Sequence, residues 1–161
     1  MKVFHTLITF IFLIIIPISF AAFERNAVWN DEAQLWDDVV RKSFNKARGY
    51  NNLGISYNKK GQHDRAIEDY NKAIAIDPNY AHAYYNRGTV YGRDKVQYDR
   101  AIEDFNKAIQ LDPNFAQAYY NRGFAYFLSG NRGRAISDLQ KACDLGDDVG
   151  CEYLQKFFRD M

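Results

Sequence analysis

Only two cysteines and three histidines occur in 161 residues, too few to suggest a metal centre, and no Cys-x-x-Cys pair is present for thiol exchange. No charge excess exists either. Against 20 Asp plus Glu stand 21 Lys plus Arg, a net charge of +1, so there is no broad basic field to neutralise phosphates, and nucleic acid is excluded as a partner. A phosphate-cradling glycine loop, a Gly-x-Ser-x-Gly elbow and a His-Glu-x-x-His pair are all missing. Asp144 to Asp148 lacks the alternating oxygen ligands and central glycine of a calcium loop. No enzyme activity, no cofactor and no metal is expected. What the chain does contain is apolar material, 47% of residues beside 25% charged, which suits one small globular module.

The first stretch stands apart from that module. Met1 to Phe23 holds one charge, Lys2, and Val3 to Ile16 is almost wholly apolar until Pro17 ends the run. Ser19-Phe20-Ala21 then places small residues three before and just before the bond to Ala22, so residues 1–21 read as a signal peptide. The alternative is an uncleaved anchor, because about 20 apolar residues can span a bilayer. Either reading puts the rest outside the cytoplasm, secreted or periplasmic in the first case and membrane-anchored in the second. A membrane partner follows only from the second.

From Tyr50 onward the chain repeats itself. Tyr50-Asn51-Asn52-Leu53-Gly54-Ile55-Ser56-Tyr57 recurs as Tyr84-Tyr85-Asn86-Arg87-Gly88-Thr89-Val90-Tyr91 and as Tyr119-Tyr120-Asn121-Arg122-Gly123-Phe124-Ala125-Tyr126. Gly54 to Gly88 is 34 positions, and Gly88 to Gly123 is 35. The second halves agree as well, Asp64 to Tyr70 with Asp99 to Phe105 and, more loosely, Gly133 to Leu139. The extra residue falls between Tyr91 and Ala101. Each copy predicts two helices. Tyr50, Leu53, Gly54 and Tyr57 make one helical stripe, and Ala66, Ile67, Tyr70, Ala73 and Ile74 make another, with Asp64 placed to cap it. Gly61 suits the turn, and Pro78 ends the unit because it lacks the N–H needed to continue. Gly54, Gly88, Gly123, Ala66, Ala101 and Ala135 are expected to let paired helices approach closely. Glu68-Asp69 and Glu103-Asp104 recur on second helices facing mostly outward, so they read as solvated surface rather than two-carboxylate centres.

A 34-residue period filled with this aromatic, Gly, Tyr, Ala, aromatic, Ala and Pro pattern resembles the tetratricopeptide repeat. The resemblance implies an all-α, right-handed superhelical solenoid of three helix hairpins over 47–80, 81–115 and 116–145, with a concave inner face. The third copy departs from the pattern, with Leu139 for the aromatic and Gly146-Asp147 for Asp-Pro.

Both ends need capping, because a terminal repeat lacks a neighbour. Residues 22–46 supply an N-terminal capping region, with Asn30-Asp31-Glu32 as a helix start and Leu35, Trp36, Val39 and Val40 as its stripe. Arg25 to Gly54 also resembles the segment joining a last transmembrane helix to exported repeats in some bacterial membrane proteins. Residues 146–161 supply a C-terminal capping helix. Lys141 to Cys151 resembles the ending of Sel-type repeats, where cysteines with seven residues between them join one helix to the next. That resemblance implies a Cys143–Cys151 disulfide, which an oxidising compartment favours.

What remains is a groove for a protein or peptide. Asn52, Asn86 and Asn121 recur two residues before each glycine, and a side-chain amide both donates and accepts, so a ladder of them suits the backbone of an extended peptide. The ladder resembles that of the O-linked N-acetylglucosamine transferase, while asparagine merely suiting this turn is the plainer reading. Arg48, His82 and Gln117 are expected to point inward, and Tyr85, Tyr120, Phe124 and Phe127 to form an aromatic pocket towards the third copy. Chaperone-tail binders of the family clamp a terminal carboxylate with basic residues. Here Asn51, Ile55, Gln117 and Asn121 stand at those positions and only Asn86 fits. Weak self-association through Tyr153, Phe157 and Phe158 of the last helix is a further expectation.

Overall fold

The computed structural model describes residues 32–43 and 45–159, with the side chains of 157–159 outside that description. The signal or anchor segment, Asn30, Asp31 and the side chains of Phe157 and Phe158 therefore lie outside the described residues. Among the described residues there are eight α-helices and no strand: α1 Glu32–Lys42, α2 Ala47–Lys59, α3 His63–Ile76, α4 Ala81–Thr89, α5 Tyr98–Leu111, α6 Ala116–Leu128, α7 Arg132–Asp144 and α8 Asp148–Arg159. None is long and apolar enough to cross a membrane. Each helix packs on the next: α2 on α3, α4 on α5 and α6 on α7 make the three hairpins, and α1 and α8 lie against the two ends. This is an all-α solenoid.

The hairpins close on small residues. Ala66, Ala101 and Ala135 are fully buried, as are Ala83 and Ala118 on the partner helices. A Cβ added at Gly54 would sit 2.6 Å from Tyr70 Cε1, and one at Gly88 would sit 3.0 Å from Phe105 Cε1. Glycine is thus required at 54, where the Tyr70 ring crosses the first helix, and at 88 a Cβ would need the Phe105 ring to give by a few tenths of an ångström. Tyr70 and Phe105 are the largest fully buried side chains, each contributing roughly 2–3 kcal/mol of burial. The third copy replaces that ring with Leu139, also buried.

Turn chemistry divides the copies. Asp77 and Asp112 take extended backbone, as a residue before proline should, and their Oδ1 atoms accept the N–H of Asn79 and Asn114 at 3.0 Å. Asp64 does not cap its helix as expected: α3 begins at His63, with Gln62 at the cap position, and Asp64 pairs with Lys95 at 2.7 Å instead. The extra residue of the second copy is absorbed as a π-helical turn over Val90–Asp94, where Lys95 N–H donates to the Val90 carbonyl at 3.1 Å. Val96 then adopts a left-handed φ of 55°, where the corresponding hairpins use Gly61 and Gly130.

The acidic pairs split, which corrects the expected solvated face. Glu68 and Glu103 are exposed, but Asp69 and Asp104 are buried, and so is Asp138 of the third copy. Arg87 donates to both oxygens of Asp104, Nε at 2.8 Å and Nη2 at 2.6 Å, and its Nη1 reaches Asn71 of the preceding hairpin at 2.5 Å. Arg122 repeats this with Asp138 and Asn106, each bond being 2.7 Å. One arginine thereby ties three helices. Burial alone would lower the Arg87 pKa, but the hydrogen bonds and charge of Asp104 leave it raised and the group cationic. The first copy has Leu53 at that position, so Asp69 falls back on the half-exposed Lys72 at 2.8 Å. Burial then pushes the Asp69 carboxyl above its usual range despite Lys72.

Candidate functional site

First helices of successive copies stand side by side and bond to each other. Asn86 Nδ2 donates to Asn51 Oδ1 at 2.8 Å, joining α4 to α2. One copy later Asn121 Nδ2 donates to the Tyr85 hydroxyl at 3.0 Å, joining α6 to α4. At the next step Tyr153 of α8 meets the Tyr120 ring edge-on, with centroids 5.7 Å apart. The asparagine row therefore spends amide hydrogens on the protein itself, while Asn52 is approached by Asn51 at 3.4 Å.

A cavity of about 630 Å³ opens on this face between the second and third copies. Its walls are Tyr85, Tyr120, Asn121 and Phe124, joined by Phe105 and Tyr98 from α5 and by Tyr153 from α8. That volume is in the range of sites that hold a large side chain or a small ligand. Arg48, His82 and Gln117 are exposed near the starts of α2, α4 and α6, and none of them lines the cavity. His82 instead stacks on Tyr80, with centroids 5.8 Å apart, and meets Phe115 at a tilt with centroids 5.0 Å apart. Phe127 is 42% exposed and not part of the walls.

Tyr153, with Tyr98 and Phe105 of α5, was not foreseen as a groove component. Its sequence position, five residues into the last helix, places it against α6 only once α8 docks like the first helix of a further copy. The bond that helps hold α8 there is the Cys143–Cys151 disulfide, with Cα atoms 4.6 Å apart. Phe124 meets the same ring at 5.9 Å.

Burial perturbs the tyrosines around this region. Desolvation, with smaller contributions led by Tyr153, pushes Tyr120 up to about 12. Burial raises Tyr85 as well, and raises Tyr70 in the core. A raised phenol pKa means that the folded state holds its proton more tightly than the unfolded chain. Stability from these groups is fully present below 10.0, the ordinary value, and is lost as pH rises through the folded values. We expect the tyrosinate absorbance of Tyr70, Tyr85 and Tyr120 to appear only well above pH 10, the last of it coinciding with loss of helix. Ionisation of these three near pH 10 with helicity intact, read by replacing each with Phe in turn, would contradict this burial.

Comparison with known proteins agrees with the geometry. Residues 54–95 and 93–130 match the TPR repeat family, and residues 116–148 match the tetratricopeptide repeat. The human tetratricopeptide repeat protein 6 is 31% identical over 81 residues, which is 47% of this chain but only 16% of that protein. The crystal structure of MamA shares 32% identity with a TM-score of 0.68, over 74% of this chain and 70% of that one. The first TPR of Spaghetti (RPAP3), solved bound to the HSP90 peptide SRMEEVD, gives 29% and 0.67 over 71% of this chain and 92% of that one. Such repeats are scaffolds for protein–protein interaction, and this chain belongs to the tetratricopeptide repeat family.

Proposed function

We propose that this protein is a non-enzymatic scaffold, working outside the cytoplasm, that holds an extended segment of a partner protein along the face formed by α2, α4 and α6. The aromatic cavity walled by Tyr85, Tyr120 and Phe124 carries this reading, because large rings with few rotors anchor a partner's side chain at low entropic cost. Exposed Arg48, His82 and Gln117 flank the path that an extended segment would take, and the side-chain carbonyls of Asn86 and Asn121, whose bonds to Asn51 and Tyr85 use only the amide hydrogens, would meet its backbone. The RPAP3 repeat bound to a peptide supports this mode by likeness of fold. The apolar leader before Ala22 and the paired cysteines support the exported location.

The test uses a photo-crosslinking residue, which leaves the fold undisturbed when placed at exposed positions. His82 and Gln117 lie on the proposed face, whereas Arg65 and Glu103 are exposed on second helices. In cells producing the protein, one discrete adduct is expected from positions 82 and 117 and none from 65 and 103. The same adduct from all four positions, or from the second helices alone, removes the groove from the function.

A further inference from the structure

Arg93 lies in the π-helical turn Val90–Asp94 and joins the walls of the aromatic cavity. It is exposed, and among the described residues it forms no ion pair. The helices that form this face are also short of negative charge. Neither α2 nor α4 nor α6 contains an Asp or Glu, whereas α3, α5 and α7 carry several. Asp94, next in the turn, faces away towards His63 at 3.6 Å. The cavity thus presents aromatic walls beside one unpaired guanidinium, with no Asp or Glu among its lining residues; the nearest carboxylate on its rim, Asp147 ahead of α8, acts on Tyr85 and Tyr120 rather than pairing with Arg93.

Resting on the groove reading above, we infer that the bound segment carries a side-chain carboxylate beside an aromatic or leucine-sized residue, the apolar group entering the cavity and the carboxylate pairing with Arg93. A guanidinium fork matches a carboxylate, and the apolar surroundings strengthen the contact. The carboxylate belongs to an internal Asp or Glu rather than to a chain end. Gripping a terminal carboxylate takes several converging donors, and here the Asn121 amide already donates to Tyr85 and the Asn86 amide to Asn51.

Random peptides displayed between two segments of a phage coat protein, and so lacking a free end, supply the probe. They are selected on the oxidised wild-type protein and on the Arg93→Glu and Phe124→Ala variants, each checked for native helicity. The wild type should enrich an acidic residue next to an aromatic or leucine, and Arg93→Glu should exchange the acid for Lys or Arg. Arg93→Gln should weaken a selected peptide about fivefold, as a partly exposed ion pair does. Apolar anchors without an acidic neighbour, or an unchanged selection on Arg93→Glu, would overturn the inference and leave the groove reading intact. If the wild type enriches nothing, or if Phe124→Ala selects as the wild type does, the groove reading falls and takes this inference with it.

Discussion

Replacing Arg122 by alanine is expected to lower the stability of the fold by about 3 kcal/mol, the cost typical of leaving a buried charge without its partner. Asp138 is only 8% exposed and takes two hydrogen bonds from that guanidinium, so truncation strands a carboxylate that water cannot reach. The third bond, to Asn106, couples α6 back to α5. Loss of Arg122 should therefore weaken the interface between copies as well as the hairpin, and in a stacked repeat that shows as reduced cooperativity. Urea denaturation followed by circular dichroism measures both. The Arg122→Ala midpoint should fall and its transition broaden, whereas an Arg122→Met/Asp138→Leu double variant should recover much of the loss, because it removes the stranded charge. A single variant within about 0.5 kcal/mol of wild type would mean that the clasp adds no more than an exposed pair.

Reducing the Cys143–Cys151 disulfide should have the second large effect, and a local one. The link closes a ring over a separation of 8 residues, for which the chain-entropy estimate is roughly 2–3 kcal/mol. Little else in α8 resists release, since Leu154 is its one buried large apolar side chain among those described. The Cys151→Ser protein should keep the three hairpins but lose amide-exchange protection over 148–159. Tyr153 then leaves the wall of the cavity. Any ligand of the site should consequently bind at least several-fold more weakly, and Tyr153→Ala in the oxidised protein should reproduce that loss without releasing the helix. Unchanged protection of α8 after reduction would show that packing alone retains it.

The hairpins were legible from the chain because they rest on short-range chemistry. Gly54, Gly88 and Gly123 mark the close crossings, Asp77-Pro78 and Asp112-Pro113 mark the ends of units, and the alternation of aromatic and alanine gives the buried stripes. Even the insertion near Asp94 was visible from the spacing, though not that a π-helical turn would absorb it. The aromatic pocket was partly legible, as Tyr85, Tyr120 and Phe124 lie at repeated positions that the fold brings together. Phe127 was misplaced because the wall follows the four-residue spacing Tyr120, Phe124, Leu128, and Phe127, one residue short of that stripe, is turned towards solvent.

Burial of the aspartates was not legible. Asp69 and Asp104 stand beside glutamates on an apparently polar strip, and nothing local reveals that the preceding helix sends an arginine across to Asp104. The use of the asparagines was hidden for the same reason: their partners Asn51 and Tyr85 lie 35 and 36 residues away. The sequence by itself determined the repeat, the helix pairing and which side chains could be buried, since these follow from local periodicity and steric fit. Tertiary structure alone decided that Tyr153 completes the cavity, that the amides tie helices together and that Arg93 is left without a counter-charge. Those outcomes depend on which surfaces meet across copies, a relation that no single stretch of chain encodes.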